Sequence, residues 1–136
     1  MNIKLFDGGQ KPTRKHHDDA GMDCYAAEDA SIEPMETRKV RLGFGIELPI
    51  GYELQIRGRS SVSASGVLVH LGTVDAGYRG EISAILTNLS PTTYLVSKGA
   101  RIAQGVVSRY VSAHLQVVET MSESERGTGG FGSTGK

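Results

Sequence analysis

The chain has 136 residues, the size of one domain, and its 15 Lys and Arg residues balance its 15 Asp and Glu residues. A formal net charge of zero does not favour a nucleic-acid partner or an anionic membrane surface. One cysteine excludes an intrachain disulfide. The chain shows no signal peptide and no apolar run of about 18 residues, so we expect a cytoplasmic protein.

The apolar residues mostly follow a period of two, which is typical of half-buried strands. The alternation is clearest over 40–48 and 52–56, and β-branched apolar segments follow at 67–71, 82–86 and 102–111. Gly, Pro, Asn and Ser separate these segments at short intervals. This pattern predicts an all-β barrel or sandwich over residues 1–121, with one helical turn at Ser60–Ser65.

The C-terminal segment 122–136 is polar and rich in glycine, so we expect a mobile tail when nothing is bound. Gly130–Lys136 reads G-x-x-x-x-G-K, close to a phosphate-binding P-loop. No helix-forming segment follows it, so its context does not favour a P-loop. A plain flexible tail is the simpler interpretation, yet Phe131 is a lone aromatic residue among glycines, which favours a stacking role.

Four other polar, glycine-containing stretches stand at predicted strand ends. They are AGMDCYAAED (20–29), GRSSVSASG (58–66), GTVDAGYRGE (72–81) and KGARIAQGVV (98–107). Each has an ordinary structural explanation when taken singly, such as a turn, a helix cap or an exposed strand residue.

In this order, and with the tail, the stretches resemble the five motifs of the trimeric deoxyuridine triphosphatases (dUTPases). The resemblance spans Ala20 to Gly135 and is most specific in GTVDAGYRGE and RGTGGFGSTG. It implies a distorted jelly-roll β-barrel, a homotrimer with shared active sites, and Mg²⁺-dependent hydrolysis of dUTP to dUMP and pyrophosphate. It also leaves open a phage origin, in which case the location would be the host cytoplasm.

The resemblance implies two catalytic residues. Asp75 would be the general base that deprotonates a water attacking the α-phosphorus, and Gln104 would help to hold the α-phosphate and that water. Tyr78 would pack beneath the deoxyribose and exclude a 2′-hydroxyl.

The segment from Val69 to Val74 would present backbone groups to the uracil edge and reject the thymine methyl and the cytosine amino group. The residues that would bind substrate here are Val69, Gly72, Thr73 and Val74, with Ser83 on the next strand.

The remaining motifs would bind the phosphates. Arg59, Ser60 and Ser61 would hold them at the start of the short helix. Asp23 would meet Mg²⁺ through its water shell, since the ion takes its other ligands from substrate phosphates.

The tail would close as a lid over bound nucleotide. In this resemblance Arg126 reaches the γ-phosphate and Phe131 stacks on the uracil. Gly132, Ser133 and Thr134 wrap the phosphate oxygens.

Three positions depart from the family pattern. Gly58 stands where a Pro is frequent, Ala100 replaces an acidic residue, and Val69 replaces a frequent Asn, with His70 beside it.

Three rival hypotheses remain. A related deoxycytidine triphosphate deaminase would need a Glu where this chain has Ile85, and Ile cannot transfer a proton. A non-catalytic or regulatory dUTPase-like protein would bind nucleotide and a protein partner. A generic all-β binding domain would make the order of the five motifs a coincidence.

Other features receive structural interpretations. The run His16-His17-Asp18-Asp19 is predicted to be a solvated loop, since its spacing fits no standard zinc site. Cys24 is predicted to lie in the core, and Arg79 and Glu81 to pair across a turn or an interface.

Overall fold

The computed structural model describes residues 1–130, which form eleven strands and one short helix. The strands are β1 (Asn2–Leu5), β2 (Gly21–Tyr25), β3 (Ala30–Ile32), β4 (Thr37–Arg41), β5 (Phe44–Glu47), β6 (Tyr52–Arg57), β7 (Val67–Val69), β8 (Gly72–Val74), β9 (Ser83–Asn88), β10 (Tyr94–Val96) and β11 (Arg101–Arg109). The helix α1 spans Ser60–Ala64. No helix in this range has the length and apolar character of a membrane span.

The strands form four antiparallel sheets that enclose one core. Their orders are β2-β11-β6-β8, β4-β9-β7, β1-β5 and β10-β3. Neighbours in the sheets are mostly distant along the chain, as in a jelly roll. The predicted all-β barrel is therefore confirmed, and the predicted helical turn lies at α1.

The alternating segment 40–48 is divided between two sheets. Its apolar residues Val40, Leu42, Phe44, Ile46 and Leu48 are all buried, as the period of two predicts. The chain nevertheless leaves one sheet after β4 and enters another at β5, turning at Gly43, which has φ +68°. A Cβ at Gly43 would overlap the backbone of Gly9, so only glycine fits there.

The core is apolar and includes the one cysteine. Cys24 on β2 is fully buried, as predicted. Burial raises the pKa of its thiol to about 12, and the negative charge of Asp23 adds to the effect. The thiol therefore stays protonated at neutral pH, and Cys24 is a packing residue rather than a nucleophile.

The last strand ends at Arg109, so residues 110–121 run outside the barrel that the sequence assigned to 1–121. This arm, residues 110–121, contains no strand or helix and exposes several apolar side chains. Leu115 is 88% exposed, and Val117 is fully exposed. Apolar groups in this number are unusual on a solvated segment.

Asn88 at the end of β9 is the one fully buried polar side chain that the structure describes. Its amide nitrogen donates to the carbonyls of Ile32 (2.9 Å) and Thr92 (2.7 Å). Its carbonyl oxygen accepts from the backbone N–H (3.0 Å) and the hydroxyl (2.7 Å) of Ser90. One side chain thus ties β3 to the loop before β10.

We expect Asn88→Leu to lower the free energy of unfolding by about 2–4 kcal/mol, because it leaves buried carbonyls without donors. Urea denaturation at one fixed protein concentration measures the loss. Asn2→Leu, at an exposed asparagine, is the control and should stay within about 0.5 kcal/mol of wild type. Equal stability of the two variants would contradict this role for Asn88.

Candidate active site

One cavity has a volume of about 720 Å³ and gathers five of the predicted site residues. These are Asp23, Arg59, Ser60, Ser61 and Gln104. We call it the phosphate cavity, for its cations and hydroxyl groups. The other residues that line it are Thr13, Lys15, His16, Asp19, Ala20, Gly21 and Arg101.

Strand pairing brings these residues together from distant parts of the chain. Gln104 on β11 stands opposite Asp23 on β2 and, on the other side, opposite Arg57 at the end of β6. Arg59 follows two residues later and is extended, with φ −93° and ψ 143°. α1 then begins, and the buried Val62 anchors it so that Ser60 and Ser61 remain at the cavity surface.

Asp23 is held between two arginines. Arg59 Nε donates to one carboxylate oxygen at 2.8 Å, and Arg101 Nη1 donates to the other at 3.0 Å. Arg59 also donates to the backbone carbonyl of Arg101 at 3.1 Å. The carboxylate is only 21% exposed, so these charge-assisted bonds fix both guanidinium groups at the cavity wall.

Gln104 points across the cavity floor, where its amide nitrogen donates to the carbonyl of Gly58 at 2.7 Å. Gly58, one of the departures from the family pattern, therefore contributes through its backbone carbonyl, which accepts this hydrogen bond. Gly21 faces the same amide, and a Cβ at that position would overlap Gln104 Oε1. Gly21, two residues before Asp23, thus leaves room for the Gln104 side chain.

The third motif lines a separate cavity of about 300 Å³. We call it the hairpin cavity, and the predicted site residues in it are Gly72, Thr73, Val74, Asp75, Tyr78 and Ser83. Ile56, Ile82, Lys39 and Glu81 complete its lining. Within residues 1–130, no side chain lines both cavities.

A tight turn carries Asp75 and Tyr78. The N–H of Tyr78 donates to the carbonyl of Asp75 at 3.0 Å and closes the turn. The Tyr78 hydroxyl donates to the carbonyl of Glu81 at 3.0 Å, which fixes the direction of the ring. The Asp75 side chain is exposed at the cavity mouth, where a water or a ligand can reach it.

The other predicted site residues lie elsewhere. Val69 is buried in the core and lines neither cavity. Arg126 is exposed and donates to the carbonyl of Gly129 at 2.9 Å, away from both cavity linings. The predictions for Phe131, Gly132, Ser133 and Thr134 fall outside the described residues.

The sequence did not indicate several residues that line the cavities. Arg101 follows Ala100, one of the departures from the family pattern, and it pairs with Asp23. His16 and Asp19 belong to the run predicted to be a solvated loop and Lys15 directly precedes it, yet all three line the phosphate cavity. Lys39 comes from β4, and no motif marks it.

Arg79 and Glu81 do not pair with each other across the turn, because each contacts a different neighbour. Pairing across an interface stays a prediction. Arg79 lies 3.4 Å from Glu47 on β5, and Glu81 lies 3.1 Å from Arg41 on β4. Their ion pairs hold the third motif to two different sheets.

The residues of the phosphate cavity fit a magnesium ion that keeps its water shell and enters with a polyphosphate. Residues 1–130 contain no cluster of three or more His, Cys, Asp or Glu side chains that could hold a metal alone. Asp23 is the carboxylate nearest the arginines, and guanidinium donors occupy both of its oxygens. A single engaged carboxylate suits contact through the water shell of the ion.

Fold and cavities together define a class: an all-β enzyme that acts on a phosphorylated compound. The dUTPase family model matches residues 7–135 of the chain. The chain therefore belongs to the dUTPase family, and the predicted resemblance and hydrolase class are confirmed.

Similar proteins cover nearly the whole chain. A deoxyuridine 5′-triphosphate nucleotidohydrolase of Clostridium tetani is 45% identical over 140 residues, covering 100% of this chain and 97% of the relative. One from Picosynechococcus sp. is 44% identical over 98% of this chain and 96% of the relative. The dUTPase of Staphylococcus bacteriophage 80alpha with dUPNHPP superposes with a TM-score of 0.94 at 30% identity, over 99% of this chain and 98% of that one.

We expect Gly21→Ala to reduce turnover of dUTP by about tenfold with little loss of stability. The new methyl displaces the end of a flexible side chain and breaks the Gln104–Gly58 bond, worth about 1–1.5 kcal/mol. Steady-state kinetics of Gly21→Ala, Gln104→Ala and the double variant measure this effect. The double variant should be no slower than Gln104→Ala, and a further large loss would show that Gly21 acts independently of Gln104.

Proposed function

We propose that the protein hydrolyses dUTP to dUMP and pyrophosphate in a Mg²⁺-dependent reaction, at active sites shared between the subunits of a homotrimer. Family membership supports the substrate. The observation that carries the proposal is the division of the motif residues between two cavities. The residues proposed to bind the nucleoside line one cavity, and those proposed to bind the phosphates line the other.

In this proposal the hairpin cavity binds deoxyuridine. Backbone groups of Gly72, Thr73 and Val74 pair with the uracil edge, and the backbone of Val69 supports them from β7. Ile56 and Ile82 give the cavity apolar walls, and Ser83 adds a hydroxyl. A base with a different donor pattern leaves buried groups unpaired, which is a heavy penalty.

Tyr78 excludes ribonucleotides. Because its hydroxyl is tied to the Glu81 carbonyl, the ring has little freedom to swing away from the sugar. A 2′-hydroxyl would meet the ring face, so UTP would bind poorly.

Arg59, Ser60, Ser61 and Gln104 bind the phosphates in the phosphate cavity. Asp75 accepts a proton from a water molecule whose oxygen forms a bond to the α-phosphorus. The bond from that phosphorus to the bridging oxygen breaks, and pyrophosphate leaves with the electron pair. Positioning and charge neutralisation supply most of the catalysis.

Asp23 would hold Mg²⁺ through water, and the ion when bound would neutralise phosphate charge. A variant of the phage phi11 dUTPase, which shares the fold at 24% identity, coordinates a structural Mg(II) ion. In this chain Asp23 also keeps Arg59 in place, so it serves the phosphates in two ways.

Two surface features support the homotrimer. Asp75 and the residues proposed to bind phosphate line different cavities, and a second copy would bring the two linings together. The exposed apolar groups of the arm, residues 110–121, and the exposed Ile3 and Leu5 of β1 suit burial against other copies. We propose that segment 122–136 then closes over the site as the lid, with the protein in the cytoplasm.

The first test is a product assay of the wild-type protein with dUTP, dCTP, dTTP and UTP in the presence and absence of Mg²⁺. We expect dUMP and pyrophosphate from dUTP alone, and only with Mg²⁺. Asp75→Asn should bind a non-hydrolysable dUTP analogue normally but turn over at least 10²-fold more slowly. Normal turnover would remove Asp75 from the base role. Wild-type binding without turnover would favour the regulatory hypothesis, and ammonia release from dCTP would favour a deaminase.

Shared sites predict that two inactive variants rescue each other. In mixed trimers of Asp75→Asn and Arg59→Gln, some sites combine an intact Asp75 from one subunit with an intact Arg59 from another. Random mixing of equal amounts gives about a quarter of wild-type activity. Unfolding and refolding the two together, against each refolded alone, measures this. Activity no greater than the mean of the two parents would contradict a shared site.

A further inference from the structure

We propose that Lys15 and His16 form a second wall of the phosphate cavity that binds the pyrophosphate half of the substrate and the pyrophosphate product. This inference rests on the proposed function, because it refines how the same cavity recognises its ligand. Both residues line the cavity. Neither belongs to the five motifs in the sequence.

The loop that carries them has a defined shape. Thr13 and Asp23 form an isolated β-bridge, with N···O distances of 3.2 and 2.7 Å, so the loop 14–20 before β2 is held at both ends near Asp23. Within it, Asp19 Oδ2 accepts the N–H of His16 at 2.8 Å, and Arg14 Nε donates to the carbonyl of Asp19 at 2.9 Å. The loop is therefore closed on itself and anchored at the phosphate cavity.

The charges that line the cavity show why Lys15 matters. The lining holds three cations, Lys15, Arg59 and Arg101, against two carboxylates, Asp19 and Asp23, which gives a formal charge of +1 with His neutral. Without Lys15 the formal charge is zero. A polyphosphate carries several negative charges, so Lys15 determines whether the lining attracts it.

The arginines are also less available than Lys15. Both make ion pairs with Asp23, whereas none of the ion pairs formed within residues 1–130 includes Lys15. Asp19 accepts the backbone N–H of His16, so this bond does not use the imidazole, and His16 lines the cavity. An ammonium and an imidazole are suitable donors to phosphate oxygens.

The pyrophosphate half is the expected ligand because it carries most of the negative charge of the triphosphate, which an ammonium group attracts. The α-phosphate carries less charge, and Gln104 is proposed to hold that end of the substrate. Lys15 and His16 come from a different segment of the lining, and a chain of three phosphates needs more donors than one wall supplies. On this argument their loss weakens pyrophosphate binding and spares dUMP.

The test is calorimetric binding of Mg-pyrophosphate and of dUMP to the full-length protein. We expect Lys15→Gln to weaken pyrophosphate binding by about five- to tenfold, the loss of one charge-assisted contact, with dUMP binding unchanged. Lys15→Arg should restore it, and His16→Ala should weaken it less. The matched controls are Lys11→Gln and His17→Ala, which are nearby and do not line the cavity.

Two results would overturn the inference: Lys15→Gln behaving like Lys11→Gln, or equal losses for pyrophosphate and dUMP. With dUTP as substrate, KM should rise while kcat changes less than about twofold, since this contact exists before and during the reaction. Pyrophosphate binding needs no turnover. If pyrophosphate binding depended on Lys15 in a protein that did not hydrolyse dUTP, the pyrophosphate subsite would be supported and the proposed function would be wrong.

Discussion

The Asp23 carboxylate, held between Arg59 and Arg101, is the interaction on which the rest of the site depends. It joins β2, the segment before α1 and β11, which are far apart in the chain and adjacent in space. Two guanidinium groups side by side repel each other, and the carboxylate between them removes that repulsion. If it were lost, two partly buried like charges would be left facing each other. The wall of the phosphate cavity therefore contains one carboxylate that holds its two arginines in place, although the proposed ligand is itself an anion.

The same pairing limits what the wall can do alone. Charges that neutralise each other inside the protein attract a ligand less strongly than free ones. Under the proposed function the phosphate cavity therefore depends on cations from outside the arginine pair, and the loop 14–20 supplies one at Lys15. Stability of the wall and attraction for the ligand are separate requirements, and different residues meet them.

The single chain is an incomplete enzyme under the proposed function. The barrel buries its own core and satisfies Asn88, so it needs no partner for its interior. Its surface differs: the two cavities hold complementary halves of the chemistry, and the arm, residues 110–121, exposes apolar groups. The proposed association with further copies would satisfy both features. Catalysis and assembly would then depend on the same contacts.

Local pattern determined much of this protein, namely the period-two strands, the buried side chains of 40–48, the helical turn at α1 and the residue types of the five motifs. Tertiary structure alone decided the rest. The switch of sheets at Gly43 depends on Gly9, thirty-four positions away, and Arg101 becomes a site residue only because β11 lies beside β2. Lys15 and Lys39 carry no motif, and Val69 points into the core. Alternation and turn chemistry act between residues that are near each other in sequence. Strand pairing across the barrel decides which charged side chains lie close together, and no local pattern encodes that pairing.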